Sequence, residues 1–136
     1  MAMKATARRT GTYRQAVTVR GHRLVVGEPA ENGGDDSGPS AQELLAAALA
    51  SCTATTMEMY ARRKGWDIED MEVACEYSPA ERGAPTRFNL VLRFPGTLTD
   101  EQVERLRVIA ARCPVHRTLE GEVMFDERVE RLSLTR

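Results

Sequence analysis

Aromatic residues are scarce: one Trp, three Tyr and three Phe make up 5% of the 136 residues. A protein that binds nucleic acid by stacking on bases needs more. Neither sign of charge is in excess, since 19 basic residues against 20 acidic ones leave a net charge of −1. The basic surplus of a nucleic-acid binder is missing, so nucleic acid is not an expected partner. Long hydrophobic runs are missing too. The longest uncharged stretch, residues 44–57, is too short to span a bilayer and carries Ser51, Thr53, Thr55 and Thr56. No membrane partner is expected. The start, MAMKATARRT, is basic but has no apolar run behind it. It reads as no signal peptide, and a cytoplasmic location is expected. There is no phosphate-cradling glycine loop, no GxSxG elbow and no HExxH pair.

Cysteine is sparse and odd in number, with three residues at 52, 75 and 113. That is not the disulfide framework of a small secreted protein. In a reducing compartment such cysteines are packing residues, metal ligands or reactive thiols. The length allows one domain, read as residues 1–136. Hydrophobic residues at 42% and charged residues at 29% describe a globular chain.

Residues 12–19 (TYRQAVTV) alternate as a strand, Gly21-His22 is a turn, and 22–26 (HRLVV) is a second strand. From Gly27 to Pro39 the composition turns to glycine, proline and acids, which is a surface loop inside one domain. A long helix follows. Ser40 is its N-cap, Glu43 completes a capping box, and Gly65 stops it after Lys64. The basic run Arg62-Arg63-Lys64 suits the negative end of the helix dipole. The middle of this helix, LLAAALASCTATTM, is uncharged all round and calls for burial on most faces. A chain of this size cannot supply that alone, so a homodimer with the helix near its interface is expected.

Residues 71–79 and 87–94 alternate and read as an antiparallel hairpin. Thr99 caps a second helix with Gln102, and Val103, Leu106, Ile109 or Ala110, and Cys113 form its apolar face. Pro114 breaks it. A turn through 115–119, a strand at 122–125 and a last strand near 128–134 complete the reading. The order β-β-α-β-β-α-β-(β) predicts an α+β fold.

Two cysteines sit where chemistry is possible. Cys52 lies mid-helix among small neighbours, and Cys113 ends the apolar face of the second helix. A thiol oxidised by peroxide becomes a sulfenic acid, which a second thiol captures as a disulfide. Both cysteines also fit a core, where free Cys is common. Cys75 alternates inward in a strand and reads as packing. Cys113-x-x-His116 is a single ligand pair. With Cys52 and His22 it still lacks the two local pairs of a zinc site, so no metal is expected.

The stretch GGDDSGPSAQELLAAALASCTATTMEMYARRKGW, with LTDEQVERLRVIAARCP running into CPVHRTL, resembles the OsmC/Ohr family of osmotically inducible and organic-hydroperoxide-resistance proteins. The likeness covers roughly residues 20–125. It implies an OsmC-like fold in which antiparallel sheets pack around a long buried central helix, assembled as an intertwined homodimer. It implies that Cys52 is the attacking cysteine and Cys113 the resolving one. The implied activity is a thiol-dependent peroxidase acting on organic hydroperoxides, recycled by a dithiol reductant, often a lipoyl group. No cofactor is implied.

The family peroxidases carry a glutamate ten residues before the first cysteine, where it orients an activating arginine. This chain has Gln42 there and Glu43 beside it. Glu43 is the candidate carboxylate and Arg23 the candidate arginine, with Arg20 as its neighbour. A guanidinium near Cys52 would favour the thiolate, whereas burial without one would oppose it. Two other functions remain on the same fold: a small-molecule-binding protein without turnover, and a thiol redox sensor.

Overall fold

The computed structural model describes residues 2–133. Three strands open the chain: β1 (Thr6–Gly11), β2 (Arg14–Val19) and β3 (His22–Val26), paired antiparallel in that order. A loop containing one 3-10 turn at Ala30–Asn32 leads to helix α1 (Ala41–Lys64). Strands β4 (Glu72–Ser78) and β5 (Arg87–Arg93) form an antiparallel hairpin. Helices α2 (Asp100–Ala110) and α3 (Pro114–Glu120) follow. The fold is α+β, with two small antiparallel sheets and one long helix.

Helix ends are set by local chemistry. Ser40 Oγ accepts the Glu43 N–H at 3.1 Å, and the Glu43 carboxylate accepts the Ser40 N–H at 2.9 Å. Thr99 and Gln102 repeat the device on α2, at 3.1 and 2.9 Å. Each cap satisfies amides that the first turn would leave orphaned. Gly65 closes α1 with a left-handed φ of 74°, a conformation that costs glycine little.

The buried residues of α1 are Leu49, Thr53, Met57 and Ala61, spaced by four along one stripe. Met57 and Ala61 pack with Leu106 and Ala110 of α2. Val73 of β4, Leu92 of β5 and Trp66 close the cluster from the sides. In the hairpin, Cys75 pairs with Leu90 and Tyr77 with Phe88. The last two rings stack at 4.8 Å. Alternate hairpin residues turn toward α1, which places the helix across the sheet.

Several expected elements differ. Strand β1 went unread because TARRTG has no apolar alternation, and the backbone turns over at 12–13 rather than running as one strand from 12. The turn at the end of β2 falls on Arg20 and Gly21, and His22 already belongs to β3. Residues 115–119 are helical, not a turn, because Pro114 takes the first position of α3, where its missing N–H costs nothing. No strand forms at 122–125 or 128–133 among the described residues, and Leu134 lies outside them. A strand needs an edge to pair with, and residues 122–133 pair with no strand among the described residues.

The N-terminal sheet and the tail share one property. The sheet packs closely against no other element of its own chain. In the tail, Met124 and Phe125 are more than 80% exposed, as is Val129. The faces of α1 away from the stripe are also open, with Ala47, Ala48, Ser51, Thr55 and Met59 exposed.

Candidate functional site

Cys52 precedes Thr53 of the buried stripe and sits at its flank, half-buried. Cys113 lies between α2 and α3 and is 0% exposed. Its backbone is held from both sides. Its N–H donates to the Ala110 carbonyl at 3.3 Å, and its carbonyl accepts the Arg117 N–H at 3.0 Å. Because α2 and α3 both pack on α1, the corner they form presents Cys113 to the helix that carries Cys52. Both thiols are free. They are neighbours close enough to act on each other's charge, Cys52 as donor and Cys113 as acceptor.

The two thiols are not equivalent. Burial pushes Cys52 up, and neighbouring Cys113 pushes it further. The Val115 N–H and the Thr56 hydroxyl pull the other way without reversing this. Burial also acts to raise Cys113, but four donors outweigh it and hold its pKa below the ordinary value. They are the Cys52 thiol, the His116 N–H, the Thr53 hydroxyl and the Val115 N–H. A single negative charge in this pair therefore rests on Cys113.

Two small cavities share Leu90 and His116 and open along the buried stripe of α1, at Thr53 and at Leu49, with Arg107 and Glu120 among their polar walls. One, of ≈ 150 Å³, is lined by Thr53, Leu90, Leu92, Ala110 and His116. The other, of ≈ 290 Å³, lies between Leu49, Phe88, Leu90 and Leu119. His116 Nε2 stands 3.2 Å from the Glu120 carboxylate at the rim. A cleft of ≈ 560 Å³ opens elsewhere, between Gln42, Glu43 and Ala46 of α1 and Cys75 and Tyr77 of β4. Burial pushes the Cys75 thiol up as well.

The other candidates are not brought to the pair. Glu43 is engaged with Ser40, whose hydrogen bonds hold its carboxyl below the usual range, and no described arginine pairs with it. Arg23 is exposed on β3, and Arg20 is exposed at the preceding turn. No described arginine is among the groups that shift Cys52. His22 starts β3, on the sheet that stands apart, and no described group of three or more His, Cys, Asp or Glu could hold a metal. Sequence reasoning missed Thr53. The signal was its place in the four-residue spacing with Leu49, Met57 and Ala61.

Fold and site together define a class: an α+β protein that holds two neighbouring thiols between a long helix and a helical corner. The family model described as OsmC-like protein matches residues 34–128. The chain belongs to the OsmC-like protein family. No curated protein matches it in sequence. Among solved structures, a Psychrobacter arcticus protein named for osmotic stress induction and detoxification superposes with a TM-score of 0.76. The two are 22% identical, over 87% of this chain and 89% of that one. The organic hydroperoxide resistance protein OsmC of Legionella pneumophila gives a TM-score of 0.67 at 23% identity, over 89% and 90%. The organic hydroperoxide resistance protein OhrB of Bacillus subtilis gives 0.62 at 22%, over 89% and 92%. At these identities the likeness shows the fold. No helix among the described residues is long and apolar enough to cross a membrane.

Proposed function

We propose that the protein is a thiol-dependent peroxidase that reduces organic hydroperoxides through Cys52 and Cys113. The observation that carries this reading is the proximity of the two thiols, one half-exposed and one fully buried. Cys52 is the one a substrate can reach. Cys113, as thiolate, takes the Cys52 proton, and the Cys52 thiolate attacks the distal peroxide oxygen. The O–O bond breaks, the alkoxide recovers that proton from Cys113 and leaves as an alcohol, and Cys52 becomes a sulfenic acid. The Cys113 thiolate then attacks the Cys52 sulfur. The S–O bond breaks, and hydroxide leaves and is protonated to water. A dithiol, of which a lipoyl group is one example, returns the disulfide to two thiols and is itself oxidised to a disulfide. The apolar walls at Leu49, Phe88, Leu90 and Leu119 suit an alkyl chain better than hydrogen peroxide. A reducing compartment such as the cytoplasm would keep both thiols reduced at rest.

The working unit in this reading is a homodimer. A second copy covers the open faces of α1 and offers a sheet edge to the tail. The sheet carrying Arg20 and Arg23 is the element free to reach across and bring a guanidinium to Cys52 of the partner subunit. The test is turnover: purified protein with tert-butyl hydroperoxide and dihydrolipoamide, with the alcohol measured. Many equivalents of alcohol per chain support the enzyme. One equivalent describes a sensor, and none describes a binding protein.

A further inference from the structure

Thr53 is 2% exposed, and its hydroxyl has no hydrogen-bond partner among the described residues in the reduced protein. A buried hydroxyl left unpaired is destabilising, and a valine of the same shape would avoid that cost. The hydroxyl acts on the Cys113 sulfur, where it favours the charged form. A neutral thiol is a weak acceptor, whereas a thiolate is a strong one. The hydroxyl is thus fully satisfied only when Cys113 carries a charge. The sulfur atoms also differ in access. Cys113 is sealed at 0% exposure, while Cys52 is half-buried.

From this geometry we propose that the Cys52–Cys113 disulfide is opened at Cys52, and that the Thr53 hydroxyl receives Cys113 as the leaving thiolate. The step rests on the dithiol reading above. A thiolate of the external dithiol attacks the Cys52 sulfur and forms a mixed disulfide there. The Cys52–Cys113 bond breaks, and its electron pair leaves on Cys113. The second thiol of the reductant, deprotonated, then attacks its own sulfur in the mixed disulfide. That step closes the oxidised reductant and releases the Cys52 thiolate, and solvent supplies the protons that both cysteines regain. Exchange is faster when the departing thiol is the more acidic one and when the attacked sulfur is the accessible one. Both conditions select Cys52 as the point of attack. Thr53 acts through Cys113 and is a positioning residue.

The test oxidises the full-length protein with tert-butyl hydroperoxide, or with diamide where the peroxide fails, and removes the oxidant. Excess glutathione is added, and acid stops the reaction at intervals of a second or less. Free thiols are alkylated and the peptides mapped. Glutathione on Cys52 with Cys113 alkylated is the expected result, and glutathione on Cys113 overturns the proposal. The rate of opening by dihydrolipoamide is read in parallel. Losing a hydrogen bond to a developing charge makes Thr53→Val slower by about tenfold. Thr53→Ser, which keeps the hydroxyl, stays within about twofold of the parent. Equal rates for all three proteins, or a serine variant as slow as the valine one, overturn the role of Thr53. A disulfide that forms with diamide but not with peroxide sinks the peroxidase reading alone, and the map still decides the point of attack. No Cys52–Cys113 disulfide under either oxidant ends both.

Discussion

Replacing Leu106 by alanine tests whether the corner that carries Cys113 is held by the core. Leu106 is 0% exposed and packs with Met57, Ala61 and Ala110. The substitution removes buried methyl and methylene groups and leaves a hole between two helices that cannot fully close. Such changes cost about 2–5 kcal/mol. Alanine's better helix propensity returns only a few tenths of a kcal/mol. A net loss of about 3 kcal/mol is expected. With a urea slope of about 1–3 kcal/mol per molar, the unfolding midpoint falls by about 1–3 M. The comparison is made at one fixed protein concentration, because an assembled protein's stability depends on it. Leu106 lies on α2 seven residues before Cys113, so the loosened helix also presents the resolving thiol less steadily. Disulfide formation after a peroxide pulse therefore slows alongside the drop in stability. A loss under about 1 kcal/mol with unchanged disulfide kinetics would refute the packing argument.

Other outcomes follow from the same residues. Ser40→Ala removes one arm of the capping box and lowers stability by about 1 kcal/mol in thermal or urea unfolding. Glu43→Gln keeps a cap acceptor and leaves the peroxide rate within about twofold, and a large loss of rate would return Glu43 to the active site. Arg23→Ala slows peroxide consumption by about tenfold, the effect of about 1.4 kcal/mol at the transition state, with the diamide-formed disulfide intact. An unchanged rate removes Arg23 from the site. Because Cys113 is held below the ordinary thiol range and is the base in the proposed mechanism, peroxide consumption rises with pH through the Cys113 titration, not through that of a free thiol. In Cys113→Ser that internal base is gone and the rise moves to higher pH, read from initial rates between pH 5 and about 10.

What could be read from the sequence was local. Both capping boxes, the Gly65 stop and the inward alternation of Cys75 depend on residues a few positions apart, and each is found as expected. Elements whose stability comes from elsewhere were harder. Strand β1 shows five exposed residues of six, so it has no inward face to reveal it. Pro114 is the same residue whether it ends α2 or begins α3, and only the packing of 114–120 on α1 decides between them. The alternating tail reads as strand, yet residues 122–133 pair with no strand among the described residues. The stretch LLAAALASCTATTM called for burial all round, and one chain buries only the Leu49-Thr53-Met57-Ala61 stripe. At the site, helix periodicity pointed Cys113 inward and small neighbours flagged Cys52, and the structure makes the two neighbours. Which thiol holds the charge was not legible. It depends on the amides of Val115 and His116 and on the Thr53 hydroxyl, which only the folded corner brings to Cys113.

The central claim is that Cys52 and Cys113 form one redox pair. Reduced protein receives one equivalent of tert-butyl hydroperoxide, is quenched with an alkylating agent and is mapped by mass spectrometry. The account predicts a Cys52–Cys113 disulfide within seconds, with Cys75 alkylated throughout. All three cysteines still alkylated after several minutes would contradict it.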